Sequence, residues 1–164
     1  MQVVLVEPEI PHNTGAIARL CLATGAGLHL VGRLGFQLDD ARVRRAGLDY
    51  WEHVSITRHD DLAALAAVLP PERWYFVETG GGRAYVEATY PADAVLIFGS
   101  ESKGLPPSCL LDRAKQIFIP IADPRVRSLN LATSVAIVLF EALRQNGYGH
   151  ASNESYAQSI GASS

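Results

Sequence analysis

Short apolar runs alternate with amphipathic stretches along this chain, and their spacing predicts an order of strands and helices. Residues 2–7 read as a strand, closed by the loop Glu7-Pro8-Glu9-Ile10-Pro11. Asn13 is the expected N-cap of a helix over 14–24, where Ile17, Leu20, Cys21 and Thr24 share a face and Gly25 and Gly27 signal the stop. Strands are expected at 28–31 and 53–57. A short helix is expected from Asp39 or Asp40 to Ala46, and an alanine-rich one over 60–69, ended by Pro70-Pro71. Further strands are predicted at 74–77, 94–98 and 116–119. Residues 128–146 read as one long helix with Leu131, Val135, Val138 and Leu139 on its apolar face. Beyond Gly147 the chain is rich in Ser, Ala, Gly and Asn and reads as a loose tail.

This alternation predicts an α/β fold with a mainly parallel sheet flanked by helices. The strands are continuous apolar runs, as expected when helices cover both sheet faces. There is no internal repeat, so residues 1–150 are expected to form one domain and 151–164 a flexible tail. At 164 residues the chain can bury roughly 70% of its unfolded surface and needs no disulfide or metal staple.

Composition narrows the function classes. Hydrophobic residues make up 48% and charged residues 19%, against a disordered or fibrous chain. No long apolar run suits a membrane span and residues 1–7 do not resemble a signal peptide, so a cytoplasmic location is expected. Cys21 and Cys109 match no metal spacing and read as free thiols. The net charge is −3, so bulk electrostatics gives no case for nucleic acid. Every cation except Lys103 and Lys115 is arginine, however, a residue suited to phosphate.

Ligands in open α/β sheets bind beyond the carboxyl ends of strands. Three such ends carry candidate chemistry: Val77-Glu78-Thr79-Gly80-Gly81-Gly82, then Phe98-Gly99-Ser100-Glu101-Ser102-Lys103-Gly104-Leu105-Pro106, then Ile119-Pro120-Ile121 with Arg125-Val126-Arg127-Ser128-Leu129-Asn130-Leu131. The triple glycine fits a plain loop as well as a ligand cradle. Glu101 has two readings, a brace for its loop or a ligand contact. Dinucleotide, P-loop and GxSxG signatures are absent, and the five histidines are scattered with no HExxH pair, so no metal is expected. Arg42, Arg44 and Arg45, with Tyr50 and Trp51 close behind, could grip phosphate and stack a base; a solvated helix face is the alternative.

Taken in order, Glu7-Pro8-Glu9-Ile10-Pro11-His12-Asn13-Thr14-Gly15 with Arg19, the Phe98–Pro106 loop, and Ile119-Pro120-Ile121 with Ser128-Leu129-Asn130-Leu131 resemble the three motifs of SPOUT-class RNA 2′-O-ribose methyltransferases. Within that class the chain is similar to the TrmL-type branch, small enzymes that methylate the tRNA wobble nucleotide. Arg44-Arg45-Ala46-Gly47-Leu48-Asp49-Tyr50 also matches that branch. The resemblance spans about residues 2–149.

The resemblance implies a C-terminal trefoil knot, a feature that general folding rules make rare. It also implies a homodimer, and S-adenosylmethionine held by Val77, Thr79, Gly99, Glu101, Gly104, Ile119, Ser128, Leu129 and Leu131. The implied reaction is methylation of the wobble ribose 2′-hydroxyl, cytidine or uridine, in the anticodon loop of leucine tRNAs. Another tRNA or rRNA position, or a non-catalytic RNA-binding module, is the alternative. Arg42, Arg44, Arg45 and Arg127 are the expected tRNA contacts. The family's motif-one arginine, here Arg19, is assigned to activating the hydroxyl. A guanidinium with a pKa above roughly 12 is a poor base. Arg19 is therefore read as orienting the ribose and stabilising the developing alkoxide, with Asn13 and Asn130 positioning it and the substrate. Ala132-Thr133 replaces the Ser-Asn of many relatives, and Phe140 stands where tyrosine is frequent.

Overall fold

Among the described residues seven strands form one sheet in the order β3-β2-β1-β6-β4-β7-β5, every pairing parallel. The computed structural model describes residues 1–37, 53–110 and 112–148. The strands are β1 (Gln2–Val6), β2 (Gly27–Val31), β3 (Ile56–His59), β4 (Trp74–Val77), β5 (Arg83–Ala84), β6 (Val95–Phe98) and β7 (Gln116–Phe118). The helices among the described residues are α1 (Pro11–Thr24), α2 (Leu62–Ala66) and α3 (Leu131–Gln145), with short 3₁₀ turns between. The helix expected at 39–46 and the arginines 42, 44 and 45 lie outside the described residues.

Apolar residues on both faces explain the continuous strand runs. Val3 and Leu5 of β1, Leu28 and Leu30 of β2, and Leu96 and Phe98 of β6 pack beneath Ile17, Ala18 and Cys21 of α1 and Val135, Val138 and Leu139 of α3. Val4, Val6, Val31, Trp74, Phe76, Val95 and Ile97 cover the other face with Leu65 of α2 and Cys109. Central β1 pairs with β2 from Gln2↔Gly27 to Val6↔Val31 and with β6 from Gln2↔Val95 to Leu5↔Phe98. Parallel neighbours require crossovers, and α1 supplies the one from β1 to β2. Burial pushes the Cys21 thiol up to about 12 and raises Cys109 as well, so neither is a ready thiolate.

Four local expectations change. The first helix starts at Pro11 rather than residue 14, with Ile10 as N-cap and no capping side chain. Proline is suited to that first position because its missing N–H would be unpaired anyway. Asn13, expected as the cap, sits inside the first turn with its side chain turned elsewhere. The strand expected at 53–57 is found at Ile56–His59, where pairing with β2 sets Leu28 opposite Ile56 and Val31 opposite His59. As a half-exposed edge it carries Arg58 and His59, which do not read as strand by apolar content. The alanine-rich helix is short, Leu62–Ala66, capped by Asp61 accepting from the Ala64 N–H at 2.8 Å.

The fourth change concerns the triple glycine. Gly82 passes so close to β7 that a Cβ there would overlap the carbonyl of Gln116. This close passage allows Arg83–Ala84 to add β5 to the sheet edge beside β7. The run is a structural crossing, and none of its three glycines lines the cleft described next.

Candidate functional site

The sheet order places β4 between β6 and β7. The loops leaving these three strands enclose a cleft of about 640 Å³, within the size range of small-molecule sites. Its apolar lining includes Val77, Phe98, Ile119, Leu129 and Leu131. All nine residues expected to hold a cofactor line it: Val77, Thr79, Gly99, Glu101, Gly104, Ile119, Ser128, Leu129 and Leu131. Asn13, Asn130 and Arg127 line it too. Arg19 does not; it stands on an exposed position of α1. Arg42, Arg44 and Arg45 lie outside the described residues.

The loop after β6 is a closed turn. Ser100 and Gly104 bond to each other in both directions, at 3.2 and 3.0 Å, and the Lys103 N–H donates to Ser100 Oγ at 3.3 Å. A Cβ on Gly99 would overlap the Gly104 backbone, so only glycine permits this turn. Glu78 ties the loop to β4: its carboxylate accepts from Leu105 N–H at 3.2 Å and from Thr79 N–H at 2.8 Å.

A second set of bonds ties that loop to the start of α1. Glu101 accepts from the backbone N–H groups of Glu9 and Ile10, at 2.8 and 3.2 Å, and from Asn13 Nδ2 at 2.9 Å. Glu9 replies by accepting from Ser102 N–H at 3.0 Å and Ser102 Oγ at 2.7 Å. Glu101 is therefore a brace, whatever else it contacts. Asn13, only 4% exposed, continues the chain by accepting from Asn130 Nδ2 at 3.0 Å. Asn130 then caps α3, its Oδ1 accepting from Ala132 N–H at 2.9 Å and Thr133 N–H at 3.3 Å. Every orientation follows from the previous one: the carboxylate can only accept, so Asn13 donates to it and accepts from Asn130. Each amide nitrogen has a second hydrogen outside this run of bonds.

The cleft also includes Ile10, Glu78, Ser102, Lys103 and Ile121, which lie in the motifs and strand-end segments read from the sequence but were given no role of their own, and Ser134, which lies outside them. The signal that could have found Ser134 is helical spacing, since it stands four residues after Asn130. Lys103 was visible as a rare lysine inside a glycine-bounded loop. Among the described residues, no group of three or more His, Cys, Asp or Glu is placed to hold a metal ion. No described helix is long and apolar enough to cross a membrane.

Comparison with known proteins agrees with this geometry. The chain is 45% identical over 150 residues to the tRNA (cytidine(34)-2′-O)-methyltransferase of Escherichia coli K12, covering 90% of this chain and 95% of that protein. It superposes with a TM-score of 0.84 and 43% identity on a solved structure described as giving insight into 2′-OH methylation of C/U34 on tRNA, covering 89% of this chain and 95% of the other. An AdoMet-bound rRNA methyltransferase from Sinorhizobium meliloti matches at TM-score 0.78 and 28% identity, over 87% of this chain and 55% of that one. The SpoU rRNA Methylase family profile matches residues 1–140. Three separated motifs meeting in one cleft on a parallel sheet, together with these matches, place the chain in the SpoU rRNA Methylase family.

Proposed function

We propose that this chain transfers a methyl group from S-adenosylmethionine to the ribose 2′-hydroxyl of the tRNA wobble nucleotide, cytidine or uridine. Leucine tRNAs are the proposed substrates, a homodimer the working form and the cytoplasm its location. The C-terminal trefoil knot belongs to the same reading. The observation that carries it is the convergence of residues 13, 99–104 and 128–131 on one cleft beyond β4, in a chain 45% identical to a protein of that activity.

The cleft suits the cofactor. Val77, Ile119, Leu129 and Leu131 offer apolar walls for an adenine ring, and Thr79 and Ser128 offer hydroxyls beside them. When bound, the cofactor supplies an electrophilic methyl group on a positively charged sulfur. The protein must then hold the 2′-hydroxyl in line with that methyl, because misplacement of about 1 Å costs about 100-fold in rate. Asn13 and Asn130 are fixed by the brace and direct their remaining amide hydrogens at the acceptor ribose. Arg19 stabilises the developing alkoxide and orients the neighbouring phosphate. Its exposed place on α1 leaves it accessible to RNA held across two subunits. Arg42, Arg44, Arg45 and Arg127 contact the tRNA.

The test combines calorimetry with a choice of acceptor. S-adenosylmethionine should bind the purified protein, and labelled methyl should reach tRNA in preference to rRNA. Transfer to rRNA alone would move the target, an outcome worth testing in a family named for rRNA methylation. Binding of RNA without any cofactor binding would favour a non-catalytic module.

A further inference from the structure

Two cations stand at the cleft on segments that leave different strands. Lys103 lies on the closed turn after β6, and Arg127 on the segment after β7. Since β4 lies between β6 and β7, these segments flank the cleft floor from two sides. Both side chains are exposed.

Glu78 and Glu101 line the same cleft, but the nearby carboxylates direct their oxygens at other donors and form no ion pair with either cation. Glu9 accepts from Ser102, Glu78 from Leu105 and Thr79, and Glu101 from Glu9, Ile10 and Asn13. Asp123, close to Arg127 in sequence, is paired with Arg125, whose Nε donates to it at 2.9 Å. Elsewhere Arg73 pairs with Asp93 and Arg144 with Glu141. Among the described residues Lys103 and Arg127 have no ion pair or side-chain hydrogen bond. A chain of net charge −3 thus turns two cations that form no ion pair toward one opening, which Glu78 and Glu101 also line. The Ser100–Gly104 bonds hold the Lys103 backbone in place.

We infer that Lys103 and Arg127 form a two-sided clamp for the phosphates on either side of the target ribose. This rests on the proposed RNA acceptor. A guanidinium grips a phosphate through two parallel N–H bonds, and an ammonium acts as a point charge. Holding both flanking phosphates limits rotation of the ribose between them, which is what in-line transfer needs.

The experiment measures tRNA binding across salt concentration for wild type, Lys103→Ala, Arg127→Ala and the double variant, with S-adenosylmethionine affinity by calorimetry alongside. Removing either cation should flatten the slope of log affinity against log salt by about 0.7 to 0.9, and the double variant should flatten it by about twice that. Cofactor affinity should stay within about twofold. Unchanged slopes in both single variants would overturn the clamp. So would unchanged slopes with a fall of tenfold or more in cofactor affinity, which would assign the cations to the cofactor instead. If the substitutions flatten the slope but the wild type binds no S-adenosylmethionine, the methyltransferase reading fails and the clamp stands.

Discussion

The cleft beyond β4 and the outer edge of the sheet at β2 and β3 both contain linked polar side chains, but the links end differently. At the edge, Gln2 Oε1 accepts from His29 Nε2 at 3.0 Å, and His29 Nδ1 meets His59 Nε2 at 2.9 Å. The glutamine oxygen can only accept, so His29 carries its proton on Nε2, and His59 must donate to His29 Nδ1. The ring centroids are 5.2 Å apart and the ring planes 27° from parallel, so the rings meet edge to edge through this bond. Both ring nitrogens of His29 are used. In the cleft, the chain from Glu101 through Asn13 to Asn130 leaves one hydrogen on each amide and frames open space. A linked polar group marks a ligand site only where donors remain and space adjoins them.

Glu101→Ala is expected to break the contrast most strongly. It strips the acceptor from two backbone N–H groups and from Asn13. Asn13 is the buried donor, and leaving it unpaired costs about 1–3 kcal/mol, the more exposed N–H groups of Glu9 and Ile10 less; a loss of about 2–4 kcal/mol in denaturant unfolding is expected. Methyl transfer should fall by more than about 100-fold, because Asn13 and Asn130 lose their fixed orientation. Histidine NMR signals at the β2–β3 edge should not move. Glu101→Gln, which keeps one acceptor oxygen, should recover part of the stability.

Gly99→Ala comes next. Its methyl group would overlap the Gly104 backbone, and such overpacking costs about 1–3 kcal/mol. Calorimetry should show S-adenosylmethionine affinity reduced by tenfold or more, since the turn that lines the cleft must shift.

Arg19→Ala should leave S-adenosylmethionine affinity within about twofold, while turnover drops by about 100-fold. Single-turnover kinetics beside calorimetry checks this. A large loss of cofactor affinity would show that Arg19 serves the cofactor.

The smallest effect belongs to the edge. Burial, then the neighbouring His59, lowers the pKa of His29 below its ordinary 6.5. As pH falls below that ordinary value, the unfolded chain takes up a proton that the folded chain resists, so stability declines. His29→Gln should flatten this decline in denaturant unfolding measured between about pH 5 and 8. A wild-type curve with no slope there, unchanged in His29→Gln, would contradict the lowered pKa of His29.

Much of this was legible from local pattern. The strand expected at 74–77 is found with those bounds, and the apolar face of α3 holds Val135, Val138 and Leu139 in the core. The cleft was legible because glycine, serine and asparagine cluster after three apolar runs. The brace was not, since Asn13 reaches Glu101 across 88 residues and Asn130 across 117. Asn13 read locally as a helix cap because asparagine serves that role in many helices; the distant partner claimed its amide instead. Two-residue β5 was invisible, as its pairing with β7 depends on where Gly82 can pass. The His29–His59 link crosses two strands and has no signature in either.

The central claim is methyl transfer to one ribose. Purified protein would be incubated with labelled S-adenosylmethionine and tRNA from cells lacking the enzyme, and the labelled nucleotide mapped after nuclease digestion. Label on the 2′-oxygen of the wobble cytidine or uridine is the predicted result. A folded protein that binds the cofactor yet leaves the wobble ribose unlabelled, while labelling another position, would contradict it.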